Sequence, residues 1–71
     1  MDAPAFELRT WQTRARKRQQ IVCLLEKKIA KTTDAEELLE LHTQLHDAML
    51  LLQHAIRQVQ HYEALRVREE A

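Results

Sequence analysis

Few side chains in this 71-residue sequence could do chemistry. His42 and His46 stand four residues apart, a spacing that puts two imidazoles on one face of a helix, where they could share a zinc ion. A closed zinc site needs four ligands, however, and the segment between the two histidines lacks the glutamate of the helical metalloprotease motif. Cys23 is the single cysteine, and the sequence places no base beside it to activate a thiolate. We therefore expect no metal, no cofactor and no enzymatic activity.

A basic run is the second candidate for a binding site. It comprises Arg14, Arg16, Lys17 and Arg18, and the nearby Trp11 could stack on a base. Helical hairpins that pair into four-helix bundles can bind RNA through such residues. The whole sequence has 11 basic and 11 acidic residues, however, and so lacks the positive field that attracts a polyanion. The run fits a solvated flank or a docking patch for an acidic helix equally well, and nucleic acid is an alternative partner.

The composition indicates the elements that must position these residues. Gly is absent and Pro occurs once, which excludes phosphate-cradling loops and tight hairpin turns. We expect one all-α domain, residues 1–71, whose small core gains stability from a partner. The longest apolar runs have five residues, whereas about 20 are needed to span a bilayer. With no segment that resembles a secretion signal, we expect a cytoplasmic protein without a membrane span.

Apolar residues recur every three or four positions over residues 38–62, which is the spacing of a coiled-coil seam. No Gly or Pro follows Asp34, and so a helix over about residues 34–68 is predicted. Its seam consists of Leu38, Leu41, Leu45, Ala48, Leu52, Ala55, Val59 and Tyr62.

The same spacing predicts an earlier helix over about residues 3–31. Asp2 and Pro4 favour its start, because proline fits the first turn and an aspartate stabilises the positive end of the helix dipole. Arg18 interrupts the apolar pattern, but its aliphatic stem can lie along apolar surface while the guanidinium reaches water. The apolar seam positions of this helix are Leu8, Trp11, Ala15, Val22, Leu25 and Ile29.

A short connector separates the two predicted helices. Either Thr33 with Glu36 or Asp34 with Glu37 fits a capping box that would start the second helix. Because so short a connector makes the helices antiparallel neighbours, the predicted fold is a two-helix hairpin.

The hairpin sets a register between the helices. Residues beyond about position 62 are expected to lack cover from the first helix and to fray. The predicted pairs are Ile29 with Leu38, Val22 with Leu45, Ala15 with Leu52 and Leu8 with Val59.

Charge divides the chain into two complementary halves. Residues 1–31 contain eight basic and three acidic side chains, a net charge of +5, and residues 32–71 carry the opposite −5. Opposite flanks attract when the first helix lies beside the second, in one chain or between two copies. Each exposed pair contributes about 0–1 kcal/mol.

The second helix has more apolar side chains than its seam needs. Residues 49–52 are consecutive Met and Leu residues, which point around most of a helix circumference, and one partner helix cannot cover them all. We therefore predict a protein partner, or a homodimer that forms a four-helix bundle when the chain is alone. The predicted partner surface comprises Leu39, Met49, Leu50, Leu51 and Ile56 on the second helix, and Ile21 and Leu24 on the first.

This pattern resembles the small YscE-type helical proteins of bacterial type III secretion, including the PscE and SsaE branches. The matching features are the end of the first helix at residues 24–30, a connector that meets the second helix at Asp34 and Ala35, and the apolar residues 50–56. The resemblance covers about residues 14–62; the N-terminal segment with Phe6 and the basic run depart from it. It implies a cytosolic co-chaperone that docks on a larger helical-repeat protein and keeps a secretion subunit, such as the needle protein, from polymerising early. A nucleic-acid-binding bundle and a structural helical adaptor are the alternatives.

Overall fold

The computed structural model describes residues 3–70 and the side chains of residues 5–68, and it contains two α-helices. Helix α1 spans Ala3–Lys31 and helix α2 spans Ala35–Glu70. Both helices are continuous because neither has a glycine, and because residues other than Gly and Pro cost at most about 0.7 kcal/mol relative to alanine in a helix. The predicted all-α hairpin is confirmed, with helix bounds within two residues of those expected. The predicted contribution of Asp2 to the start of α1 lies outside the described residues.

Thr32 ends the first helix by bonding the carbonyls that the last turn leaves free. Its hydroxyl donates to the carbonyl of Lys28 at 2.6 Å, and its backbone N–H donates to the carbonyl of Ile29 at 3.2 Å. The ammonium groups of Lys28 and Lys31 also lie in this last turn, where the negative end of the helix dipole favours positive charge.

Asp34 is the N-cap of the second helix. Its carbonyl accepts the first helical hydrogen bond, from the backbone N–H of Leu38 at 2.9 Å. Glu36 and Glu37 occupy the first turn, where the positive end of the dipole favours carboxylates. Of the two capping boxes that the sequence allows, the one that starts at Asp34 therefore coincides with the observed helix start.

The core is a single seam between the two antiparallel helices. Its buried members are Leu8, Val22, Leu41 and Ala55, which are at most 7% exposed. All the other predicted seam residues are half-buried, as is Arg18. Ala55 is completely inaccessible to solvent. A seam this thin leaves most of each helix surface open.

The second helix sets the length of the molecule. The hairpin measures 54 × 15 × 13 Å along its principal axes. The expectation that α2 lacks cover beyond about residue 62 is corrected: Leu65 is half-buried, and Glu63 and Val67 line a groove together with Leu8. Because Leu8 lies beside Glu63 and Val67, beyond the expected Val59, α1 covers about one more turn of α2 than expected.

The register follows the prediction at the middle of the hairpin and shifts towards the open end. Ala15 and Leu52 line one groove, as expected. Val59 lines the same groove with Gln12, whereas Leu8 lies one turn further along α2.

Candidate protein-interaction surfaces

Nine large apolar side chains of the described residues are exposed, from 42% for Ile56 to 72% for Leu39. They include all seven residues of the predicted partner surface. The other two are Phe6 and Val67, which the sequence argument did not assign to a surface. Phe6 precedes Leu24 by 18 residues, or five helical turns, and this spacing could have placed both on the same face of α1.

These apolar side chains lie on several sides of the hairpin rather than on one. Ile21 and Leu51 lie on the same side, where they line a narrow groove with Arg18 and Ala48. We call this the Ile21/Leu51 side. Leu24 lies beside Cys23 on the outer surface of α1. The predicted partner surface is therefore divided between at least two separate faces.

The opposite side of the hairpin is lined by Ile56, with Leu52 and Val59 from α2 and Gln12 and Gln19 from α1. We call this the Ile56 side. Met49 precedes Ile56 by seven residues, which is close to two helical turns, and so lies on the same stripe.

Leu50 and Leu39 lie on the outer face of α2, away from α1. Leu50 is two residues from the seam positions Ala48 and Leu52, a separation of about 200° around the helix. Leu39 precedes Leu50 by 11 residues, which is about three turns and places both on one stripe. Met49 lies between Ile56 and Leu50, and so exposed apolar side chains extend from the Ile56 side onto the outer face. The exposed polar residues Thr43 and His46 separate this group from Leu39.

A polar and aromatic cluster takes the place of apolar packing at Arg18. The Nη1 atom of Arg18 donates a hydrogen bond of 2.9 Å to the carbonyl oxygen of Leu51 in the other helix. The guanidinium carbons of Arg14 and Arg18 lie 4.7 and 5.8 Å from the centroid of the Trp11 ring, distances at which a cation is attracted to the aromatic face. Arg18 thus binds across the seam, whereas the sequence suggested only a guanidinium extended to water.

His54 completes this cluster. Its ring meets Trp11 edge to face, with centroids 5.3 Å apart and an interplanar angle of 82°. His54 is exposed. Its contact across the helices could not be predicted from the sequence, because it depends on the register between them.

The basic run is spread around α1. Arg14 and Arg18 contact Trp11, and Lys17 lines a groove with Phe6. Arg16 lies on the Ile56 side. This spread follows from the 100° rotation per helical residue, so that four basic residues within five positions point in different directions. Trp11 is already occupied by contacts within the chain.

His42 and His46 are both exposed on α2, and Cys23 is an exposed free thiol on α1. Within the part of the chain that the structure describes, no three potential ligands of the His, Cys, Asp and Glu types come together as a metal site. None of the described helices is both long and apolar enough to cross a membrane.

Comparisons with known proteins give no relative: no family model, no curated protein and no solved structure matches this chain.

Proposed function

We propose that this chain is a non-enzymatic interaction module that docks the outer face and the Ile56 side of α2 into the concave groove of a larger helical-repeat protein. The observation that carries the proposal is the group of exposed apolar side chains Met49, Leu50 and Ile56, which are 42% to 52% exposed and lie within two turns of α2. Leu39, which is 72% exposed, extends the same stripe as Leu50 three turns earlier. Exposed apolar side chains that are contiguous mark interaction sites on soluble domains.

The shape of this surface favours a concave partner. Measured around the helix axis, the stripe of Ile56 and the stripe of Leu50 are about 120° apart. A single straight helix of a partner would cover only one of the two stripes. Helical-repeat proteins stack their units into superhelices with extended concave surfaces, and such a groove can contact both stripes at once.

The charge of the segment supports the same partner. Residues 48–56 contain no Lys, Arg, Asp or Glu. The centres of protein interfaces are depleted in charged residues because charges lose hydration when they are buried. Each half-exposed leucine on this surface would contribute about 1 kcal/mol when a partner covers it.

The resemblance to YscE-type proteins gives the proposal a specific form. In that form the chain is a cytosolic co-chaperone of type III secretion, and the helical-repeat partner is the chaperone that it stabilises. Binding would stabilise both proteins by mass action, because only the folded hairpin presents the apolar surface. The complex would then keep a secretion subunit from polymerising early.

Site-specific photocrosslinking in cells of the native host tests this proposal. A photoreactive amino acid at position 50 is expected to crosslink to a helical-repeat protein, because Leu50 lies at the centre of the proposed surface. Position 20 serves as the matched control, since Gln20 is exposed on the other helix, away from the surface. Equal crosslinking from both positions, or a partner from position 50 without helical repeats, would contradict the proposal.

A further inference from the structure

The Ile21/Leu51 side differs from the surface just described because it is strongly charged. At its centre are Ile21 and Leu51, which are 51% and 53% exposed. We propose that a second copy of this chain covers this side, so that α1 of each copy lies antiparallel on α2 of the other in a four-helix bundle.

Helix α1 presents basic residues on this side. Two basic residues precede Ile21 on its stripe: Arg14 by seven residues and Lys17 by four. Lys28 follows Ile21 by seven residues on the same stripe. All three are exposed. Between positions 14 and 28 this stripe carries no acidic residue.

Helix α2 presents acidic residues on the same side. Asp47, Glu40 and Glu37 precede Leu51 by 4, 11 and 14 residues, and so they follow the stripe of Leu51. All three are exposed. Three of the eight basic residues of positions 1–31, the basic row, and three of the eight acidic residues of positions 32–71, the acidic row, are thus displayed on one side of the hairpin, on the two helices that flank its apolar centre.

This charge pattern selects one of two symmetric ways to bury the side. A two-fold axis perpendicular to the helices would lay α1 on α1 and oppose basic rows to each other. A two-fold axis parallel to the helices lays α1 on α2 of the second copy and brings Lys28, at the connector end of the basic row, against the acidic row. Complementary potentials favour the second arrangement, and like-charge contacts disfavour the first.

The parallel axis also fixes the register, because it leaves every residue at its own level along the bundle. Within one chain Arg18 is level with Leu51, to which it is hydrogen-bonded. Ten residues further along α1, Lys28 is therefore about level with Glu40. In the dimer, Lys28 of each copy faces Glu40 of the second copy.

The available area is sufficient for a stable dimer. One broad side of a hairpin that is 54 Å long and 15 Å wide offers about 800 Å², which is what each partner buries in an interface of standard size. The outer face of α2, with Leu50, stays accessible in this bundle. The inference therefore does not depend on the function proposed above.

The first test compares the same substitution on two neighbouring leucines of equal exposure. Leu51→Asp places a carboxylate on the proposed dimer surface, whereas Leu50→Asp, the matched control, places it on the outer face. Analytical ultracentrifugation is expected to find a dimer for the wild type and Leu50→Asp, and at least about tenfold weaker association for Leu51→Asp. A wild type that stays monomeric at about 100 μM, well above the Kd of a typical stable dimer, or equal effects of both substitutions, would overturn the inference.

The second test uses Lys28→Glu and Glu40→Lys, which leave the apolar centre unchanged. Each variant alone faces like charges in its own dimer and is expected to associate more weakly. An equimolar mixture restores both intermolecular pairs, and the mixed dimer is expected to be about tenfold tighter than either self-associated variant.

This mixture separates contacts between copies from contacts within a chain. In each single variant positions 28 and 40 carry the same charge, and so no intrachain pair can account for recovery in the mixture. Native mass spectrometry of one isotope-labelled variant measures the fraction of mixed dimers. A statistical mixture of dimers, or no dimers, would overturn the proposed pairing of α1 with α2.

Discussion

At the scale of single residues, Arg18 shows how a polar side chain can belong to an apolar seam. Its position in the seam follows from the spacing of three and four residues. Its guanidinium donates to the carbonyl of Leu51 and lies 5.8 Å from the ring of Trp11. The residue therefore connects the helices through polar contacts where neighbouring levels use leucine and valine.

Arg18→Ala is expected to lower the free energy of unfolding by about 1–2 kcal/mol, because it removes a charged hydrogen bond and a cation–π contact that are only partly shielded from water. Arg16→Ala is the matched control; Arg16 is exposed on the other side of α1, and its loss should change the stability by less than about 0.5 kcal/mol. Urea unfolding followed by circular dichroism at one protein concentration measures both. Equal stability of the two variants would mean that Arg18 only extends to solvent.

The spacing of apolar residues predicted which positions line the seam, because helical periodicity alone decides which residues share a face. The partners of Arg18 and His54 could not be predicted in this way. A long side chain reaches across several levels of the other helix, and its contact depends on a register finer than one turn. The same limitation applies to Leu50, Leu51 and Ile56, which lie on different faces of the hairpin. The sequence gives the angular position of each residue around α2, but the position of α1 decides which of these residues lies beside it and which lies on the outer face.

At the scale of elements, the connector determines where the second helix starts. The sequence left two capping boxes open, and only the helix bounds distinguish them. Asp34 provides the carbonyl for the first helical hydrogen bond of α2 and therefore holds the N-cap position. The length of the cover on α2 could not be judged as well from sequence, because it depends on the register at the open end, where Leu8 lies one turn further along α2 than expected.

Asp34→Ala is expected to destabilise the hairpin by about 1 kcal/mol, the usual effect of removing an N-cap side chain. Thr33→Ala tests the alternative box and should change the stability by less than about 0.5 kcal/mol. Thermal or urea unfolding of the two variants gives the comparison. A larger loss for Thr33→Ala would place the functional cap one residue earlier and contradict the assignment.

At the scale of the whole molecule, the hairpin buries few apolar side chains for its length. Among the side chains that the structure describes, the buried apolar residues are Leu8, Val22, Leu41 and Ala55, whereas nine large apolar side chains are exposed. Small domains that bury little surface usually need added stabilisation from a partner. Two different surfaces are available for it here: an uncharged apolar surface on α2, and the charge-segregated Ile21/Leu51 side.

If a second copy covers the Ile21/Leu51 side, folding and association are linked, and stability must depend on concentration. Each tenfold rise in protein concentration is then expected to raise the apparent free energy of unfolding by about 0.7 kcal/mol per chain. The urea midpoint of the wild type and of Leu50→Asp should rise accordingly, while that of Leu51→Asp should stay constant once the chain is monomeric. Leu50→Asp is still expected to bind the helical-repeat partner more weakly than the wild type, because the two surfaces act independently. A wild-type midpoint that does not change between about 1 and 100 μM would show that the isolated hairpin folds without a second copy.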